Sequence, residues 1–218
     1  MPGYTWPVTA ASFLGMWIVM MVAMMLPSLV PMLRRYRRAV DRTAASAPTS
    51  LFELRLNRLT ALVSVGYFFV WTVIGMAAFP LGVSLATVEM QQPALARAVP
   101  LAVGVIVLIA GSLQFTAWKA HHLASYREAS GRGRTLPADA GTAWRHGVRL
   151  GLHCVHCCAN LMAILLVIGV IDLRAMAIVA AAITSERLAT AGERVARAIG
   201  AFVVVAGLFL IAQAAGLG

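Results

Sequence analysis

Residues 147–171 read GVRLGLHCVHCCANLMAILLVIGVI, and this stretch decides the class of the fold. It is longer than the roughly 20 residues that a membrane helix needs. Arg149 is its one charged residue. Inside it stands the run His153-Cys154-Val155-His156-Cys157-Cys158, which holds all three cysteines of the chain. Polar, reactive side chains at the mouth of a membrane helix are costly and mark function.

Working outward, five further apolar stretches cover 9–33, 59–80, 98–123, 175–188 and 195–215. The chain has 218 residues, 61% of them hydrophobic and 12% charged, with mean hydropathy +0.83. That composition excludes a soluble domain. The expected fold class is all-α: one integral membrane domain over 1–218, a polytopic bundle of about six transmembrane helices. The span 175–188 is the shortest. Pro27 is expected to kink the first span and free a carbonyl. Pro48 breaks the first loop, and Ser50 is expected to cap a short interfacial helix beginning at Leu51. A short loop is expected after Pro80, and another around Gly131, Gly133 and Pro137. Asp172-Leu173-Arg174 reads as a tight turn. The first apolar run has no positive residue before it and no clear small-residue cleavage site, so no cleaved leader is expected.

The net charge of +10 is placed as an orientation signal. Lys and Arg number sixteen in the first, third and fifth loops, against Arg97 and Arg174 on the other side. By the positive-inside tendency, both termini face outward. The multi-pass chain is then expected in a bacterial inner membrane. No nucleic-acid partner is expected, because no aromatic–basic interleaving accompanies the charge.

The chemistry of the run follows from helical spacing. Cys154 and Cys157 are i,i+3, Cys154 and Cys158 are i,i+4, and His153 and Cys157 are i,i+4. One stripe offers thiolates, and His153 or His156 adds an imidazole. Such a set suits Cu(I), with Zn(II) as the alternative. The competing structural reading is small cysteines packing between helices. Met16, Met20 and Met24 share a stripe of the first span, with Met21 and Met25 on the next. Thioethers are Cu(I) ligands, although methionine also fills irregular apolar gaps. His121 and His122 end the third span beside Lys119 and Gln114, and either imidazole is a further candidate ligand. Glu186 is expected to pair with Lys119 or an arginine. Trp17, Trp71, Trp118 and Trp144 carry no chemistry in this reading, and Gly147 and Gly151 are spaced to admit a close neighbouring helix.

Several motifs together carry a family resemblance. They are Trp17-x-x-Met20-x-x-Ala23-Met24-Met25-Leu26-Pro27, Gly66-Tyr67-x-x-x-Trp71, Gln114-x-x-x-Trp118-Lys119, Gly147-x-x-x-Gly151-x-x-Cys154-x-x-Cys157-Cys158-x-x-Leu161-Met162, Asp172-Leu173-x-x-Met176 and Glu186-Arg187. The chain resembles the bacterial family of predicted metal-binding integral membrane proteins. Some of its members are regarded as copper chaperones that load tyrosinase-type copper enzymes. The resemblance covers nearly the whole chain. It implies functional roles for Cys154, Cys157, Cys158, Met24, Met25, Lys119 and Glu186. This sequence departs from the family pattern at His156, where a glycine is usual, at Ala159, where an aromatic is usual, and at His121-His122, where imidazole takes the place of a thiol.

The leading expectation is therefore an integral membrane protein that handles Cu(I) on Cys154, Cys157 and Cys158. His153, His156 and His121 are accessory ligands, and Met24 and Met25 are exchange ligands. Its implied partners are the lipid bilayer and an acceptor copper protein or membrane complex; a homo-oligomer is left open. The alternatives are a membrane thiol–disulfide oxidoreductase using the three cysteines and a structural subunit of a membrane complex. Helical i,i+3 cysteines strain a disulfide unless the helix start is frayed. No P-loop is present, so transport would not be driven by this chain's own ATPase.

Overall fold

Seven helices make up the described part of the computed structural model, which covers residues 6–41, 50–129, 137–169, 172–189 and 191–216, with backbone alone at 93–95 and 125–129. They are α1 (Trp6–Asp41), α2 (Ser50–Gln91), α3 (Pro93–Leu113), α4 (Ala117–Ala129), α5 (Ala140–Ile168), α6 (Leu173–Leu188) and α7 (Gly192–Ala214). Among the described residues there is no strand. Pro48, Gly131, Gly133 and Ile171, to which the sequence reading assigned breaks or a span end, lie outside the described residues.

Five of these helices are long and apolar enough to cross a membrane: α1, α2, residues 96–113 of α3, α5 and α7. The fold is thus an all-α membrane helix bundle. The sixth expected span, α6, has 16 residues. That gives a rise of about 24 Å, short of the roughly 30 Å hydrocarbon layer. Asp172 starts this helix by accepting hydrogen bonds from the N–H groups of Arg174 and Ala175 at 2.8 and 3.3 Å, so the expected tight turn is an N-cap.

Three boundaries differ from the sequence expectation. The interfacial helix at Ser50, the second span and the loop expected after Pro80 form one continuous helix of 42 residues. Pro80 lacks an N–H but leaves α2 helical on both sides. Likewise α1 continues through Pro27 and Pro31. In contrast, the third span is not continuous. Gln114, Phe115 and Thr116 close i→i−3 bonds onto Gly111, Ser112 and Leu113 at 3.1–3.3 Å, which ends α3. The Thr116 hydroxyl then accepts from the Lys119 N–H at 3.3 Å and caps α4.

The chain divides into two compact units, residues 1–79 with 125–155, and residues 80–124 with 156–218. In the first, α1, the first part of α2 and the first part of α5 pack together. Glycine makes this possible: a Cβ at Gly147 would run into the Val63 carbonyl, and one at Gly151 would lie 3.0 Å from the Tyr67 carbonyl. The expectation that these two glycines admit a close helix is met, and the helix is α2. Trp17 donates from Nε1 to the Trp71 carbonyl at 2.9 Å, joining α1 to α2. Arg37 bridges the polar ends of the same helices through Glu53 at 3.1 Å. In the second unit, α7 packs against α3 and α6.

Candidate metal centre

Five of the six methionines in the first span face the interior: Met20, Met21, Met24, Met25 and Met32 are buried, while Met16 is exposed. Helical spacing puts them inward, and Trp17 sets which side that is. On α5 the cysteines follow the same logic. Cys154, Cys157 and Cys158 are 0–1% exposed, so the thiols are held away from water.

Met25 and Cys154 meet. The Cys154 thiol donates to Met25 Sδ at 3.9 Å. The Tyr67 hydroxyl lies 2.8 Å from the same Cys154 sulfur. A thiol has one hydrogen, so when it points to Met25 the tyrosine is the donor. The result is a buried chain running Tyr67, Cys154, Met25. Two sulfurs 3.9 Å apart, each about 2.3 Å from a metal, subtend about 115° there, an angle suited to a trigonal or tetrahedral soft ion. Tyr67 belongs to the site, and the sequence reading gave it no role. Its signal was a hydroxyl inside an otherwise apolar span, where an unpaired polar group is costly.

The other candidates stand as follows. Met24 is buried beside Met25 in sequence, His153 is half-buried, and His156 and His121 are exposed. The His156 ring stacks on His122 with centroids 5.2 Å apart, and His121 lies edge-on to His122 at 5.7 Å. Trp118 covers the remaining side of His122 at 4.6 Å. The imidazole nearest His156 in these pairs is therefore His122 rather than His121. Among the described residues, no group of three or more His, Cys, Asp or Glu side chains is placed to hold a metal ion. The assembled soft donor pair is one thiol and one thioether.

None of the three cysteines is in a disulfide. All three lie well inside α5 rather than at its start, where i,i+3 geometry strains an S–S bond.

The second unit holds a buried polar network of its own. Lys119 Nζ is 2.8 Å from Glu186 Oε2, and both side chains are 1–2% exposed. The same ammonium donates to the Cys157 carbonyl at 2.6 Å and to Asn160 Oδ1 at 3.4 Å. Gln114 donates to Glu186 Oε1 at 2.7 Å, and Asn160 to the Ala110 carbonyl at 3.3 Å. The expected Glu186–Lys119 pair is present. Two of the sixteen loop cations, Lys119 and Arg187, are in fact buried; the remaining asymmetry keeps its sign. Lys119 is fixed through the backbone carbonyl of Cys157. This placement follows from the break at 114–116, which ends α3 just before Gln114 and starts α4 before the lysine.

No curated protein and no solved structure matches this chain. The thiol–thioether pair, the cysteine face of α5 and the apolar helices instead agree with the copper-chaperone family PpoB2, whose model matches residues 14–210, and the chain belongs to that family.

Proposed function

We propose that this chain is an integral membrane copper chaperone of the bacterial inner membrane, which takes Cu(I) as cargo and passes it to a partner copper enzyme. The observation that carries the reading is the buried Cys154–Met25 sulfur pair at 3.9 Å. Copper handling follows from the family; the ligand set, the oxidation state and the acceptor are our proposal. Cys154 and Met25 hold the ion first. Cys157 and Cys158 lie within the next turn of α5 and offer thiols for ligand exchange, with Met24, His153, His156 and His121 as accessory donors. Soft sulfur ligands favour Cu(I) over Zn(II), and exchange among them moves the ion without releasing it. The charge asymmetry supports cytoplasmic first, third and fifth loops and outward termini. The resemblance to tyrosinase-loading chaperones supports an acceptor of that type.

The test is metal per chain by mass spectrometry on protein purified in detergent under reducing conditions. Wild type is expected to hold copper in preference to zinc. Cys154→Ser is expected to lose most of it, and the triple Cys154→Ser/Cys157→Ser/Cys158→Ser variant all of it. Copper content unchanged in the triple variant sinks the ligand assignment. Transfer is tested by mixing the loaded chaperone with a copper-free tyrosinase-type enzyme and following its activation.

A further inference from the structure

A cavity of about 280 Å³ opens beside the α3–α4 break, wholly within the second unit. Gln114, Thr116 and Lys119 line it from the break, and Glu193, Ala196 and Arg197 from the first turns of α7. Two observations bear on what fills it. Gln114 is 3% exposed, and its Nε2 is committed to Glu186, yet its Oε1 has no hydrogen-bond partner. An amide oxygen in that position requires a donor. Secondly, charged side chains line the cavity: Lys119 from α4, and Glu193 and Arg197 from α7. Charged side chains beside a membrane persist where they face a water-filled space. The cavity has room for several waters, and each needs two to four polar partners; Gln114, Thr116 and the Glu193–Arg197 rim supply them.

We infer that this cavity is a water-filled vestibule, with one water donating to Gln114 Oε1 and the water column reaching Lys119. Hydrocarbon is excluded as the occupant because it offers no donor to that oxygen. The vestibule ends one side chain away from the Cys157 backbone, since Lys119 bonds that carbonyl. It therefore brings the aqueous phase close to the cysteine helix while the thiols themselves stay buried. The inference stands independently of which metal the chain carries.

The experiment is cysteine accessibility in proteoliposomes with reagent on both sides of the bilayer. Ala120→Cys and Ala196→Cys place a thiol on the cavity wall. Ala201→Cys, on the outer face of α7 beside the exposed Phe202, is the lipid-facing control. Intact-mass spectrometry counts labels above the wild-type background, and native-like elution on size exclusion checks folding. A charged methanethiosulfonate is expected to modify the two cavity positions at least about tenfold faster than the control, as water-lined and lipid-lined sites differ. Rates equal to the control, with an uncharged maleimide still reacting at the cavity positions, mean a dry cavity and overturn the inference. Failure of both reagents at both positions overturns it as well, because no open cavity then exists.

Discussion

The hydroxyl of Tyr67 stands 2.8 Å from the sulfur of Cys154. Both groups are fully buried, so this bond is the polar contact that sets the charge tolerance of the thiol. A hydroxyl donating to a thiolate stabilises the metal-binding form. Removing it with Tyr67→Phe keeps the ring and its packing. Cu(I) affinity, read by competition with a chromophoric chelator, is expected to fall about tenfold, or about 1.4 kcal/mol. Unchanged affinity removes Tyr67 from the site.

Met25 and Met16 differ in burial, 0% against 47%, and this makes an internal comparison. Met25→Leu conserves volume and is expected to cost less than about 1.5 kcal/mol of stability, yet it replaces a soft ligand with hydrocarbon. Copper retention through a desalting column should drop in Met25→Leu and stay at the wild-type level in Met16→Leu. Equal retention in both variants makes Met25 a packing residue only.

The Lys119–Glu186 pair is a stability element whose loss is asymmetric. Lys119→Met or Glu186→Leu alone leaves a buried group without its partner and is expected to destabilise by about 3–5 kcal/mol. The double variant Lys119→Met/Glu186→Leu removes both charges and should recover much of that loss. Unfolding in detergent, arranged as a double-mutant cycle, measures the coupling. Strictly additive losses mean that the two residues do not act as a pair.

Asp139 precedes α5 and lies outside it. Hydrogen bonds from the Thr142 hydroxyl and then the Thr142 N–H hold its carboxyl below the usual value of 3.8; the N–H bond is 2.8 Å. A depressed folded-state pKa contributes stability that is fully present above 3.8 and is lost as pH falls through the folded value. The melting temperature of wild type should therefore drop below pH 3.8, and Asp139→Asn, which keeps a capping side chain, should show a flatter profile there. The side chain is exposed, so the difference is small. Identical acid profiles would remove this contribution.

Much of the arrangement was legible in the sequence because burial in a bilayer leaves simple marks. The helical class followed from apolar run lengths. The methionine stripes of α1 followed from spacing except at Met16, which shares a stripe with Met20 and Met24 yet is exposed, and the Gly147–Gly151 contact followed from small residues one turn apart. Glu186 and Lys119 were readable as partners because opposite charges inside apolar runs must find each other. Helix ends were harder. Ser50 does open a helix, but the short interfacial piece expected there runs straight into the second span, and α2 continues through Pro80, since proline costs one bond and long helices absorb it. The break at 114–116 was hidden, because Thr116 is a capping residue only once the chain stops at Leu113. Tyr67 was missed as a site residue for a different reason. Its partners, Cys154 and Met25, are distant in sequence, and no local pattern signals which helices touch.

The bond from Trp17 Nε1 to the Trp71 carbonyl acts as an index mark for α1. A helix of apolar residues in an apolar solvent has little to resist spinning about its own axis. One hydrogen bond, with the indole seated where Gly75 has no side chain, fixes that angle. A slip of a single residue turns the helix by about 100°, enough to swing Met25 away from Cys154 and to present Leu26 or Met24 in its stead. The alignment of the sulfur pair is therefore decided two turns away, by a tryptophan outside the pair.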